Sequence, residues 1–380
     1  MDALMLPSNW QRVRLGDIAE IIGGGTPSTQ ITSFWNGSIN WFTPTEIGIT
    51  KYVYKSQRTI TLLGLKKSSA KLLPIGTILL TSRASIGDCA ILKVAATTNQ
   101  GFQSLIPLEK INNEFLYYLM LTLKNKLLKL ASGSTFLEVS PNKIKNLLIP
   151  LPPLNEQIAI ANILSGLDRY LCSLDALILK KESVKKALSF ELLSQRKRLK
   201  GFNQAWQRVR IGDICEITTG SLDANEMVHY GKYRFYTCAK EYYFIDKYAF
   251  DTEAILISGN GAYVGYVHYY KGKFNAYQRT YVLDNFSEHI IFVKYFLTMF
   301  LQSHIQTNRN EGNTPYIVMG TLKDFEILLP PLNEQIAIAN ILSDLDNEII
   351  SLKNKKRQFE NIKKALNHDL MSAKIRVLNK

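Results

Sequence analysis

The chain reads as α+β, with two dissimilar modules each followed by a long helix, the helices forming an antiparallel coiled coil and the halves related by a pseudo-twofold. Three observations predict this. LPPLNEQIAIANILS occupies 151–165 and returns without a substitution at 329–343. WQRVRLGDIAEI begins at Trp10, and WQRVRIGDICEI begins at Trp206. The contents between these frames look unrelated, GGGTPSTQITSFWNGSINWF in one and TGSLDANEMVHYGKYRFYTC in the other. Cores accept many apolar residues of similar size, so a verbatim copy implies one job done twice. Periods this long indicate duplicated domains and not a short-repeat solenoid.

The first module occupies 1–150, a central spacer helix 151–200, the second module 201–328 and a distal spacer helix 329–380. GTILLTS, AILISG, YVGYVHYY and RTYVL combine β-branched or aromatic residues with Gly and Asn punctuation, which predicts strands. A short helix is expected in NEFLYYLMLTLKNKLLKL and in its counterpart IIFVKYFLTMFLQSHI. After each Pro-Pro the pattern becomes helical, with Asn155 or Asn333 able to cap the first turn. Leu164, Leu167, Leu171, Leu174 and Ile178 keep a 3–4 spacing, as do Leu342, Leu345, Ile349 and Leu352, with Phe359 and Leu366 beyond. Such stripes predict a coiled-coil seam. KKAL recurs at 185–188 and 363–366. Antiparallel pairing would make the helices a ruler with a module at each end.

With 380 residues, 46% hydrophobic and 21% charged, the composition is that of a folded globular protein. No run of eighteen apolar residues predicts a membrane span, and the opening MDALMLPSNW does not read as a signal peptide. Cys89, Cys172, Cys215 and Cys238 are far apart, which suits reduced cytoplasmic thiols, and no metal site is expected. The net charge of +14 favours a polyanionic partner such as nucleic acid over a merely solvated basic surface. Residues 1–150 carry 16 basic and 8 acidic side chains, a net +8, whereas 201–330 carry 12 and 13, a net −1.

Catalytic motifs are missing. GGGTPST lacks the Lys of a phosphate loop and reads as a turn. The Pro-Pro pairs have no preceding Asn and no following aromatic, unlike the motif of amino-methyltransferases. Asp251–Glu253 has no Lys at nuclease spacing. No catalytic residue is assigned. Binding chemistry remains, in polar loops that recur in both modules. In the first these offer Thr26, Ser28, Thr43, Ser82, Arg83, Asn99, Gln100, Phe102, Ser134 and Thr135 as DNA-contacting candidates. In the second they offer Lys240, Asn260, Tyr263, Tyr277, Gln278, Arg279, Asn313 and Thr314. Arg, Gln and Asn side chains match guanine or adenine edges in a major groove. Twelve tyrosines between Tyr230 and Tyr281 fit cross-strand packing, with polar tips left for binding.

The paired LPPLNEQIAIANIL segments, the paired WQRVR[LI]GDI openings and the loops NQGF and NAYQRT resemble the DNA-specificity subunit of type I restriction–modification systems, almost end to end. The resemblance implies that each module is a target-recognition domain reading half of a bipartite DNA sequence. It implies that the helices set the gap between half-sites and dock two modification subunits, which hold S-adenosylmethionine and methylate adenine N6. Two restriction subunits, using ATP and Mg, would complete the complex in the prokaryotic cytoplasm. The specificity subunit would be non-catalytic and bind no cofactor. Asn155, Glu156, Gln157, Asn333, Glu334 and Gln335 then have two open roles, docking of the partner or capping of the helix. An enzyme with an unrecognised site and a spacer that binds protein instead of DNA stay as alternatives.

Overall fold

A computed structural model describes residues 6–133, 137–308 and 315–377. It divides into two compact units. Unit 1 takes 1–175 and 355–380, and unit 2 takes 176–354. Each unit contains about half of each long helix.

In unit 1, the strand Gln11–Arg14 pairs antiparallel with Leu148–Leu151, so the Trp-led frame is zipped to the residues before Pro-Pro. A five-stranded sheet runs in the order Ala19–Gly23, Gln103–Pro107, Ile78–Leu80, Cys89–Leu92, Tyr52–Val53. A three-stranded sheet places Trp35–Phe42 between Arg58–Ile60 and Ala96–Thr98. The helices are α1 (Leu62–Lys66), α2 (Asn113–Leu130), α3 (Pro141–Lys145) and the first half of α4 (Leu154–Leu193). The Asn112 side chain caps α2 by accepting from Phe115 N at 3.0 Å. With 18 residues, α2 is longer than the short helix expected there, and its face from Phe115 to Met120 packs into the core.

In unit 2, Gln207–Arg210 pairs with Glu326–Leu329 in the same way. One six-stranded sheet follows the order Glu216–Thr219, Thr280–Asp284, Phe250–Ser258, Val267–Ala276, Tyr233–Tyr236, Tyr243–Ile245. The strand expected over YVGYVHYY begins only at Val267, because Gly265 turns the chain with φ of +81°. Helix α5 (Ile290–Asn308) answers α2, α6 (Met319–Lys323) answers α3, and α7 (Leu332–Met371) answers α4.

Both long helices start one residue before the expected cap. Pro153 O accepts from Glu156 N at 2.9 Å and Pro331 O from Glu334 N at 2.9 Å. Asn155 and Asn333 therefore lie in the first turn and not at its cap, each side chain accepting from the next residue's amide at 3.0 and 2.9 Å. Proline suits this position because its fixed φ leads into a helix.

Within unit 1 the halves of α4 and α7 run antiparallel. Asp168 pairs with Lys363, Asp175 with Lys356 at 2.6 Å, and the rings of Tyr170 and Phe359 lie 4.7 Å apart. Within unit 2 the sense is the same, with Glu182 to Lys353 at 2.6 Å, Lys181 to Glu348 at 2.8 Å, and Lys185 to Asp346. Leu164, Leu174, Ile178, Leu342 and Ile349 are buried along this line, and Leu167, Leu171, Leu345 and Leu352 are half-buried. No helix of the described residues is long and apolar enough to cross a membrane.

Candidate nucleic-acid interface

One hydrogen-bond frame recurs at the loop end of each module. Asn99 N donates to Phe42 O at 3.0 Å, and Tyr277 N donates to Tyr236 O at 2.9 Å. Ser82 N donates to Gly101 O at 2.8 Å, and Gly259 N donates to Arg279 O at 2.8 Å. Val139 N donates to Ser82 O at 3.1 Å, and Ile317 N donates to Gly259 O at 2.9 Å. The register equates Asn99 with Tyr277, Gln100 with Gln278, and Gly101 with Arg279. Close approach is shared too. A Cβ on Gly24 would stand 1.8 Å from Asn99 O, and one on Gly220 would stand 1.9 Å from Ala276 O. Two unlike modules thus present corresponding loops on a common backbone, with different side chains at most positions.

The glutamines share a tether to the loop after the first sheet strand. Thr26 Oγ1 donates to Gln100 Oε1. Gln278 Nε2 donates to Asp223 Oδ1 at 2.7 Å. Sequence reasoning overlooked Asp223; its signal was that GSLD follows its strand as GGGT follows the first. Gln278 and Arg279 are exposed, and among the described residues the Arg279 guanidinium has no ion-pair partner. Arg83 is committed to Glu138 at 2.8 Å. Asn260 bridges to Tyr316, and Lys240 lies 5.2 Å above the Tyr263 ring. Ser28 is exposed, Thr43 and Tyr277 are half-buried, and Thr43 Oγ1 donates to Glu46 at 2.8 Å.

Two candidates need correction. Phe102 is 0% exposed inside an apolar cluster, and Ser82 is 1% exposed with its hydroxyl turned to Gly101 O at 3.2 Å. Both belong to the support of the loops, Ser82 just after the strand Ile78–Leu80 and Phe102 just before the strand Gln103–Pro107. Ser134, Thr135, Asn313 and Thr314 lie outside the described residues.

A further support in the first module was not legible as such. The Arg58 guanidinium sits 3.8 Å over Trp35 and 5.4 Å from Trp41, while Trp41 Nε1 donates to Gly25 O at 2.9 Å. This stack holds the glycine loop that carries Thr26. In the second module Arg234 stacks on Tyr242 at 4.3 Å and Tyr270 at 4.5 Å. The tyrosines differ widely in burial, Tyr236 being 2% exposed and Tyr230 96%. Among the described residues no group of three or more His, Cys, Asp or Glu could hold a metal ion.

The duplicated phrase has a buried part and an exposed part. Glu156 and Gln157 are 2% and 1% exposed, and Glu334 and Gln335 are 1% and 0%. Glu156 accepts from Trp10 Nε1 at 3.1 Å and from Arg376 at 2.8 and 3.1 Å. Glu334 accepts from Trp206 Nε1 at 3.2 Å and from Arg198 at 3.3 and 2.6 Å. Gln157 accepts from Asn112 N at 2.8 Å and donates to Pro152 O at 2.9 Å; Gln335 accepts from His289 N at 3.0 Å and donates to Pro330 O at 2.8 Å. These four side chains are internal fasteners of the frame, and Glu156 and Glu334 also stand in the first turns of their helices, where a negative charge suits the helix dipole. Exposed instead are Leu154, Asn155, Ile158 and Asn162 in one copy, and Leu332, Asn333, Ile336 and Asn340 in the other.

Beside each copy lies a half-buried lysine. Lys51 Nζ donates to Tyr118 Oη and Ser165 Oγ, both at 2.9 Å, and burial pulls its pKa down. In unit 2, burial lowers Lys294, which lies 4.2 Å over the Tyr295 ring. Tyr118 donates to Asp168, and Tyr295 to Asp346 at 2.6 Å; desolvation first, then these bonds, raise both phenols.

The family model of the type I restriction modification DNA specificity domain matches residues 7–181 and again 203–361. The chain is similar to the MjaIX type I restriction enzyme specificity subunit of Methanocaldococcus jannaschii, at 29% identity over 98% of this chain and 95% of that one. The EcoDI specificity subunit of Escherichia coli is 40% identical over a stretch covering 42% of this chain and 35% of the relative. Among solved structures, the S subunit of a type I restriction–modification system from M. genitalium superposes with a TM-score of 0.63 at 19% identity, over 97% of this chain and 98% of that one. That last likeness bears on the fold alone. Two matches of the family model, in the two halves that repeat each other's frame, identify the chain as a member of the type I restriction–modification DNA specificity family.

Proposed function

We propose that each module reads one half of a bipartite DNA target and that the chain directs partner subunits to modify or cleave that DNA. The observation that carries this reading is the common loop frame bearing unlike side chains. Two readers built on one scaffold and facing different sequences have this form. Phosphate contacts position such a protein, and base-edge contacts specify the site. The first module's surplus of positive charge supports a larger share of phosphate contact there.

The exposed part of the duplicated phrase supports two equivalent docking surfaces for two copies of one partner, a modification subunit. Packing alone does not require Leu154, Asn155, Ile158 and Asn162 to recur as Leu332, Asn333, Ile336 and Asn340 in contact with solvent. Each unit also has a groove nearby. Leu121, Thr122, Leu171, Lys363 and Lys364 line one, and Thr298, Met299, Ile349, Lys185 and Lys186 line its counterpart. In this reading the modification subunits hold S-adenosylmethionine and methylate adenine N6. Restriction subunits use ATP and Mg, and this chain itself does no chemistry in the prokaryotic cytoplasm. The test is sequencing of N6-methyladenine in cells carrying the chain with its modification partner. A two-part methylated motif that disappears when the chain is deleted is expected; methylation independent of the chain refutes the reading.

A further inference from the structure

We infer that Asp223 is a positioning residue for base readout, fixing the orientation of the Gln278 amide in the second module; this rests on the DNA reading proposed above. Gln278 Nε2 lies 2.7 Å from Asp223 Oδ1. An ionised carboxylate only accepts, so the amide must turn its NH₂ group towards Asp223. One amide hydrogen is thereby used. The other N–H and the carbonyl oxygen remain, a donor and an acceptor of the kind that pair with adenine N7 and N6 in a major groove.

Asp223 is itself held. Its side chain accepts from the backbone of Glu226, and its own N–H donates to Glu226 Oε1 at 3.0 Å. The Gln278 backbone is pinned to the same loop, its N–H donating to Leu222 O at 2.9 Å. The loop therefore fixes both the main chain and the amide of Gln278. At the matching place in the first module stands the Thr26 hydroxyl, which holds Gln100. A hydroxyl donates or accepts, so it tethers that amide without dictating which end faces it. The two modules thus differ at this point, one glutamine being oriented and the other only held.

Without Asp223 the amide of Gln278 can turn half a revolution about its last bond, exchanging donor and acceptor. The consequence falls on base preference, at one position of the second half-site. The experiment uses the full chain assembled with its modification partner, methylating a library randomised across both half-sites. Asp223→Ala and Gln278→Ala should each relax the same single position roughly tenfold, and the double variant should relax it no further than Gln278→Ala. Asp223→Asn, which can accept or donate, should relax it partly and serves if the alanine variant does not fold. Glu226→Ala removes the carboxylate that accepts from the Asp223 backbone N–H, leaves the backbone donor to the Asp223 side chain in place, and should keep the base preference. Relaxation by Gln278→Ala with none from either Asp223 variant overturns the inference while leaving the DNA reading intact. Equal relaxation of both half-sites by Asp223→Ala would assign Asp223 a general structural role and also overturn it. A wild-type complex with no sequence preference removes both.

Discussion

Arg376 grips the buried carboxylate of Glu156 with two guanidinium hydrogen bonds, although 220 residues separate them. Trp10 completes the carboxylate's shell. Removing the arginine leaves a charge that is 2% exposed with one neutral donor, and breaking a buried pair from one side is costly. Arg376→Ala should therefore destabilise unit 1 by about 3 kcal/mol. Urea unfolding followed by hydrogen exchange would locate the loss. A shift confined to unit 2 would contradict the assignment, as that unit has its own pair in Arg198 and Glu334.

Arg279 is exposed and unpaired among the described residues, on the loop that also presents Gln278. Its replacement by Ala should weaken discrimination at one base pair by about 1–3 kcal/mol, in the second half-site only. Mapping methylated sites in the variant strain checks this. An unchanged motif would place Arg279 outside the readout.

Lys66, Lys67 and Lys71 are exposed on the segment whose Ser69 and Ala70 press against Gly25. They flank the loop that carries Thr26, a suitable place for phosphate contacts. Neutralising each should reduce the slope of log K against log salt by roughly one unit while the recognised bases stay the same. Binding isotherms at several salt concentrations measure this, and a constant slope would mean that the lysines only solvate the surface.

Glu216 and Asp284 stand directly opposite each other in an antiparallel pair, and like charges so placed repel. Burial, then the Glu216 charge, raises the Asp284 pKa. A carboxyl raised on folding binds more protons in the folded state, so its penalty is present above its folded pKa. The penalty is relieved as pH falls towards the unfolded value. Glu216→Lys should stabilise unit 2 by about 0.5 kcal/mol at neutral pH, with the gain shrinking in acid as Asp284 protonates. Melting curves at pH 7 and pH 4 decide it; an equal gain at both would exclude the charge pair as the cause.

The duplicated frame was legible because repetition needs no knowledge of contacts. Helices after each Pro-Pro and the matched loops NQGF and NAYQRT followed from it. The inward turn of Glu156 and Gln157 was not legible, since local pattern treats a polar pair in a first helical turn as solvent-facing. Their partners Trp10 and Arg376 are remote in sequence and near only after folding. Phe102 and Ser82 were misplaced for a related reason: each stands at the edge of a polar-looking loop, where the chain enters or leaves a core strand and is already buried. Asp223 was missed because an Asp in a turn is ordinary, and only its distance to Gln278 gives it a further meaning.

The partition of the chain also bears on its synthesis. Unit 2 is one uninterrupted stretch, 176–354, whereas unit 1 draws on 1–175 and then on residues after 354. Leu370 and Met371 lie in the same apolar cluster as Leu15 and Phe115, and Arg376 neutralises Glu156. On the ribosome, the first module emerges early yet lacks part of its core, while the second has every residue of its unit soon after 354 appears. Domains usually mature in the order in which they are made. Here the later-made half should be finished first, and the nascent first half must wait, with the Glu156 carboxylate lacking its arginine, until the distal helix has been translated.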